Sequence, residues 1–375
     1  MYTATSILAL ALAAVFVIAT VLPLSASSSR WIRVFDFPRI QIAVGLTVSG
    51  VLLIVASPQE SGLTILAVAV VAGCLGYQAT HIIRYSPVYP RQAASAVPGT
   101  SASDFRMLIA NVLMENRDAA LLLQRVRDTD PDVAVFVETD DWWDSSLSLL
   151  EADYPFSVRR PQDNHYGMVL FSRVPLVDPE IRFLVRDEIP SIRTGVRLKS
   201  GDVFTLYALH PVPPPLADTE MRDAEILVVA KEIENSPLPA IVAGDLNDVS
   251  WSRTTRMFMR ISQLLDPRIG RGFFASYNAK NPLMRWPLDH VFHDTSFTVN
   301  EIRLLKSFGS DHFPVFVSLR HQPAVPPDGT PEPADAEDRQ EAKETIEAGK
   351  NAEPGANEYP NPPNQTGKHK DSGSA

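Results

Sequence analysis

Pro239-Ala-Ile-Val-Ala-Gly-Asp-Leu-Asn-Asp248 is the stretch that decides how this chain is read. Ala240 to Ala243 form a short apolar run, expected as a buried strand. Gly244 lets the backbone turn closely, and Asp245 and Asn247 follow two residues apart. In an extended chain that spacing puts both side chains on one face. A carboxylate and a carboxamide just past a buried strand are costly unless they hold something. Phosphate or a hard divalent cation meets that need.

Other apolar runs end in the same manner. Met107 to Ala110 leads into Asn111, Val133 to Val137 into Glu138, and Val203 to Leu209 into His210. Two later runs begin with polar groups instead: Asp289-His-Val-Phe and Ser310-Asp-His-Phe-Pro-Val-Phe-Val. If those two strands run opposite to the others, all these polar side chains arrive at one rim of the sheets.

Here the chain resembles the endonuclease/exonuclease/phosphatase superfamily. The resemblance is carried by Asn111, Glu138, His210, Gly244-Asp-Leu-Asn247, Asp289 and Ser310-Asp-His312, in that family's order. It covers about residues 104 to 320. Gly-Asp-x-Asn alone is a weak signal; joined to Ser-Asp-His and the Glu after the second strand it is specific. The resemblance implies a four-layer α/β sandwich, αββα, with two packed mixed sheets flanked by helices.

It also implies roles. Glu138 and Asp311 are the expected ligands of Mg²⁺, with Mn²⁺ as its substitute; Mg²⁺ takes few carboxylates and keeps waters for exchange. Asp245 orients or deprotonates the attacking water. Asn247 donates to a phosphoryl oxygen, and Asn111 holds the metal ligand or a phosphate oxygen. His312 neutralises charge on the phosphoryl group, with Asp289 on its far ring nitrogen. His210 protonates the leaving oxygen or binds phosphate, and the residues do not say which histidine is acid and which is base. Each has a plainer reading: Glu138 as a helix N-terminal carboxylate, the asparagines as turn formers. His290 is expected in packing, and His165 in an exposed loop. Trp143 and Trp142 are expected to pack under a helix, and Arg193 and Arg197 to sit on a solvated strand face.

The first 85 residues have a different character. Residues 4–24 are nearly all apolar and uncharged, long enough as a helix to span roughly 30 Å. A cleaved signal peptide is the competing reading, but there is no basic n-region and the run is too long. Residues 40–56 and 62–80 are two further candidate spans, so 1–85 is expected to be a three-helix transmembrane anchor. Arg30, Arg33 and Arg39 lie between the first two spans, which favours the cytoplasm for the catalytic domain. The resemblance to membrane-anchored phosphatases of the superfamily implies the extracytoplasmic side instead. Residues 86–103, rich in Pro, Ala and Ser, read as a linker. The resemblance implies that residues 104–321 form the catalytic domain. Its helices are expected at 117–128, 140–150, 218–235 and 252–265, with a substrate-facing loop at 271–286. Residues 322–375 are expected as a disordered tail, because their composition buries too little apolar surface.

The 375-residue chain carries a net charge of −10 and has no long Lys/Arg run, which disfavours a tight duplex binder. Its single cysteine, Cys74, excludes an intrachain disulfide. The expectation is a membrane-anchored, Mg²⁺-dependent hydrolase of phosphoric esters or anhydrides, multi-pass in the cell membrane. Its expected partners are the lipid bilayer and a phosphorylated substrate, lipid-linked rather than nucleic acid, with no obligate protein partner. A nuclease acting on DNA or RNA is the alternative. A non-catalytic membrane scaffold is a further one, and it predicts substitutions among the site residues.

Overall fold

A computed structural model describes residues 2–58, 61–213 and 218–352. The chain opens with α1 (Ala4–Val21), a short α2 (Arg30–Arg33), α3 (Arg39–Ala56) and α4 (Gly62–Ile82). Helices α1, α3 and α4 are long and apolar enough to cross a membrane, and most of their surface is uncovered by protein. They pack on one another through Ala9, Ala13, Leu46 and Val71. Thr3 caps α1 through a reciprocal pair of bonds with Ser6.

The remainder runs β1 (Asp104–Asn111), α5 (Ala119–Thr129), β2 (Val133–Val137), α6 (Asp141–Leu147), β3 (Phe156–Arg160) and β4 (Met168–Ser172). Then follow β5 (Leu176–Arg182), β6 (Ser191–Arg197), β7 (Val203–Leu209), α7 (Glu220–Glu234), β8 (Ala240–Asp245) and α8 (Arg253–Ser262). The chain closes with β9 (Asp289–His293), β10 (Phe297–Leu304), β11 (Val315–His321) and α9 (Ala336–Asn351). Six strands form one sheet in the order β10-β11-β1-β2-β4-β3, and five form the other in the order β5-β6-β7-β8-β9.

Strand alternation sorts the side chains into layers. Met107 and Ile109 of β1, Val133 and Val135 of β2, and Ile241 and Ala243 of β8 meet between the sheets. Leu108, Ala134 and Phe136 turn outward onto Leu122 and Val126 of α5 and Trp143 of α6. Tyr207, Ala240 and Val242 turn outward onto α7 and α8. The result is the expected αββα sandwich. Strand β9 is antiparallel to β8 and β11 antiparallel to β1, so the polar starts and polar ends do share a rim.

Several expectations need correction. Ile181 to Val185 reads as a strand by its apolar residues; the strand lies earlier, at β5, whose bulge between Val177 and Glu180 masks the alternation. Strand β3 was not expected, because its face is largely exposed and weakly patterned. Residues 86–103 are no free linker. Ala93 is fully buried, Ala96 N donates to Val299 O at 2.9 Å, and Gln92 accepts from Asp266 N at 2.9 Å.

The tail is also not wholly without structure. Within 322–375, α9 is a sixteen-residue helix capped by Asp335 and Asp338, while residues 353–375 lie outside the described part. It docks on α7 and α8 through Arg260–Asp338 and Arg253–Glu341 pairs, with Ala342 buried. At Gly349 a Cβ would come within 2.4 Å of Ala224 Cβ, so the helices touch through small residues. Composition underestimated this segment because ion pairs and close backbone approach hold it more than large apolar side chains do.

Candidate active site

Strand registry builds the site. Asn111, the last residue of β1, pairs with Val137 of β2, which puts Glu138 one step beyond it on the same rim. On the other sheet Asp245 of β8 lies directly across from Asp289 of β9. Ser310 Oγ donates to Asn111 O at 2.9 Å and accepts from His312 N at 3.0 Å, so the Ser-Asp-His turn is tied to the end of β1.

The turns beyond the strands are strained. Glu138 and Asn247 both adopt left-handed backbone, at φ 62° and 50°. Non-glycine residues there persist where surroundings fix them, commonly at functional sites. Gly244, at φ 142°, has no room for a Cβ, which would stand 2.0 Å from Leu209 O.

Asn111 joins the two halves. Its Nδ2 donates to Glu138 Oε1 at 2.7 Å and to Asp245 Oδ2 at 3.0 Å. Glu138 Oε2 accepts from Met114 N at 3.3 Å and lies 3.4 Å from His165 Nδ1. Burial opposes the charge on Glu138, but the His165 bond, His210 and Asn111 outweigh it and hold its pKa at about 2. His210 Nε2 stands 3.9 Å from Asp245 Oδ2 and 4.0 Å from Glu138 Oε1.

The second cluster is a coupled acid–imidazole set. His312 Nδ1 and Asp289 Oδ2 are 2.7 Å apart, and His312 Nε2 reaches to 3.5 Å from Asp245 Oδ2. Burial disfavours the imidazolium, yet Asp289 and then Asp245 overcome it and raise His312 to about 10. Burial raises Asp245, with His312 opposing and Asp289 reinforcing the shift. At neutral pH, His312 therefore carries positive charge beside a carboxylate.

Asn247 lines the cavity and also holds the backbone around it. One amide N–H is committed to Pro211 O at 2.9 Å, so the side chain anchors the loop after His210. Its backbone N–H donates to Asp245 Oδ1 at 3.0 Å, and Arg222 holds its carbonyl at 2.9 Å. His165 differs: expected in an exposed loop, it faces Glu138 and has Glu115 3.2 Å away. Its turn, at φ 65°, carries no periodic signal that sequence reading can use. Tyr277 and Trp286 were anticipated only as part of the 271–286 loop, and both line the cavity. His290 is buried between Arg268 and Asp248 O, a packing role. Trp143 is buried as expected, whereas Trp142 is half-exposed under the Arg117 guanidinium.

Glu138, His165, His210, Asp245, Asn247 and His312 line a cavity of about 850 Å³, together with Asp311. Three carboxylates, Glu138, Asp245 and Asp311, therefore converge on one space, and the nearby Tyr277 phenol registers all three. Burial raises its pKa first, then Asp311, with Asp245 and Glu138 adding. Such a set of hard oxygen donors fits a divalent cation of the Mg²⁺ kind. Asp245, Asp289 and His312 also present ligand atoms within 4.8 Å of one another. Asp289 Oδ2 is already engaged by His312, however, so that trio works better as a proton-bearing set. Among the described residues, Asp289 Oδ1 and His210 Nδ1 are buried without a hydrogen-bond partner.

The Endonuclease/Exonuclease/phosphatase family pattern matches residues 108–312, over half of the chain. The chain belongs to the endonuclease/exonuclease/phosphatase family. Among solved structures, D. rerio TDP2 complexed with a single-strand DNA product shares the fold at TM-score 0.51 and 17% identity, over 58% of this chain and 99% of that one. A UPF0294 protein of Vibrio cholerae is 29% identical over 130 residues, 35% of this chain and 44% of that protein. One from Vibrio campbellii is 26% identical over 123 residues, 33% of this chain and 42% of that protein. The chain thus spans under half the length of the curated relatives it matches.

Proposed function

We propose that this chain is a membrane-anchored, Mg²⁺-dependent hydrolase whose substrate is a lipid-linked phosphate or pyrophosphate. One observation supports the lipid part above others: the membrane-length helices attach to the domain beside the cavity. Gly270 N donates to Arg84 O at 2.8 Å just after α4, and Gln41 on the first turn of α3 donates to Leu283 O at 2.7 Å.

The chemistry is in-line attack of water on phosphorus. Glu138 and Asp311 would hold the cation, with Asn111 fixing Glu138. Bound there, Mg²⁺ supplies Lewis-acid polarisation of a phosphoryl oxygen. Asp245 orients the water and accepts its proton. The His312 imidazolium, fixed by Asp289, stabilises the added negative charge. His210 donates to the leaving oxygen. The absence of a long basic run supports a lipid ester over long nucleic acid. We place the catalytic domain outside the cell. Arg33 and Arg39, two of the arginines that argued for the cytoplasm, are engaged by Asp36 at 3.4 and 3.0 Å, and so have a structural role of their own.

The test is hydrolysis by the full chain with Mg²⁺ of a polyprenyl diphosphate and of plasmid DNA. Release of inorganic phosphate from the lipid is expected; cleavage of DNA alone would overturn the lipid reading.

A further inference from the structure

Resting on that lipid-linked reading, we propose that residues 30–38, between the first two membrane-length helices, form the wall of the catalytic cavity that takes the substrate's hydrocarbon chain. The cavity that holds Glu138, Asp245 and His312 is lined on another side by Trp31, Val34, Phe37 and Pro38, with Met284 among its remaining walls. Trp31 is 72% exposed, Val34 49% and Met284 46%. Large apolar side chains thus stand uncovered where a polar substrate alone would need none.

The segment is built into the fold. Arg33 donates to the carbonyls of Ser27 at 2.6 Å and Pro23 at 3.2 Å, and Asp36 bridges it to Arg39. Trp251 Nε1 donates to Asp36 O at 2.6 Å, and the Phe37 ring stands edge-on to Trp286 at 5.7 Å. The wall therefore keeps its shape against the catalytic loops.

Its position fixes the occupant. Helix α1 ends shortly before the segment and α3 begins just after it, so the wall lies where the chain leaves the apolar spans. The Arg30 guanidinium lies over the Trp31 ring, 5.3 Å from its centroid, a pairing of cation and indole suited to the headgroup zone. A phosphate at the Glu138–His312 end and a chain running past Trp31, Val34 and Met284 would keep the hydrocarbon continuous with the bilayer. Nucleic acid would meet a mostly apolar wall there, with Arg30 as the lining guanidinium. In the reaction, water oxygen bonds to phosphorus as the phosphorus–leaving-oxygen bond breaks. The proton passes to the leaving group, and the chain stays on the wall until release.

The experiment uses the full chain in lipid nanodiscs with Mg²⁺. It compares a long-chain polyprenyl diphosphate with water-soluble bis(p-nitrophenyl) phosphate, for wild type, Trp31→Ala, Trp31→Phe and Val34→Asp. Trp31 is largely exposed, so its replacement removes little packing. The expected result is a KM for the lipid raised about tenfold in Trp31→Ala and further in Val34→Asp, with Trp31→Phe close to wild type. Selectivity for lipid over soluble ester falls in parallel. Lipid hydrolysis with undiminished selectivity in both Trp31→Ala and Val34→Asp would overturn the wall and leave the lipid-phosphatase reading standing. Cleavage of plasmid DNA with no lipid hydrolysis by wild type would overturn both.

Discussion

Asn111 closes the site at the residue scale, because one amide nitrogen donates to a carboxylate from each half of the molecule. Asn111→Ala leaves Glu138 and Asp245 without that shared donor. Hydrolysis should fall about 100-fold, and the Mg²⁺ concentration for half-maximal rate should rise, as read by metal titration of the initial rate. His312 gives a pH prediction. With its pKa at about 10, the imidazolium survives neutral pH and is lost as pH rises through that value. The alkaline limb of kcat/KM should break near there. Asp289→Asn removes the strongest raising influence and should move the break down toward the ordinary imidazole range. Asp245, Glu138, Asp289 and His312 were legible in sequence because each sits at the end or start of an apolar run. His165 was not, since a left-handed turn with no hydrophobic pattern brings it to Glu138.

At the scale of elements, buried strands declared themselves and partly exposed ones did not. Strands β2 and β8 are buried throughout, whereas β3 and β5 offer mainly exposed faces. Helix α9 was illegible for the related reason that little of its surface is apolar. Gly349→Leu tests its docking, because the new side chain must displace Ala224 or the Glu220 carbonyl. The variant should lose about 2 kcal/mol of stability and expose residues 336–351 to protease, followed by thermal denaturation and limited proteolysis. Helix α7 carries Glu225, which burial alone raises to about 8. The folded chain keeps that proton above the usual carboxylate range, where the unfolded chain releases it, so this residue lowers stability as pH rises toward 8. Glu225→Gln should be the more stable protein at pH 8 by about 2 kcal/mol, with the advantage shrinking as pH falls toward 5, as measured by denaturant melts across pH.

For the whole molecule, two sheets deliver polar groups to one rim, and apolar helices hold that rim beside their own ends. The rim was readable once the direction of β9 and β11 was assumed. The contribution of residues 30–38 was not, since nothing in their local pattern links them to a cavity formed some 80 to 280 positions later. The proposed sidedness predicts that protease added to intact cells removes an epitope tag fused after Ala375; full retention of the tag until the cells are opened would put the domain in the cytoplasm. The most direct measurement of the central claim is phosphate release from polyprenyl diphosphate by the full-length protein in nanodiscs, with Mg²⁺ or with chelator, for wild type and Asp245→Asn. Release by wild type with Mg²⁺, none with chelator, and a loss of at least about 100-fold in Asp245→Asn are expected. Equal release by Asp245→Asn, or release undiminished by chelator, would contradict the claim.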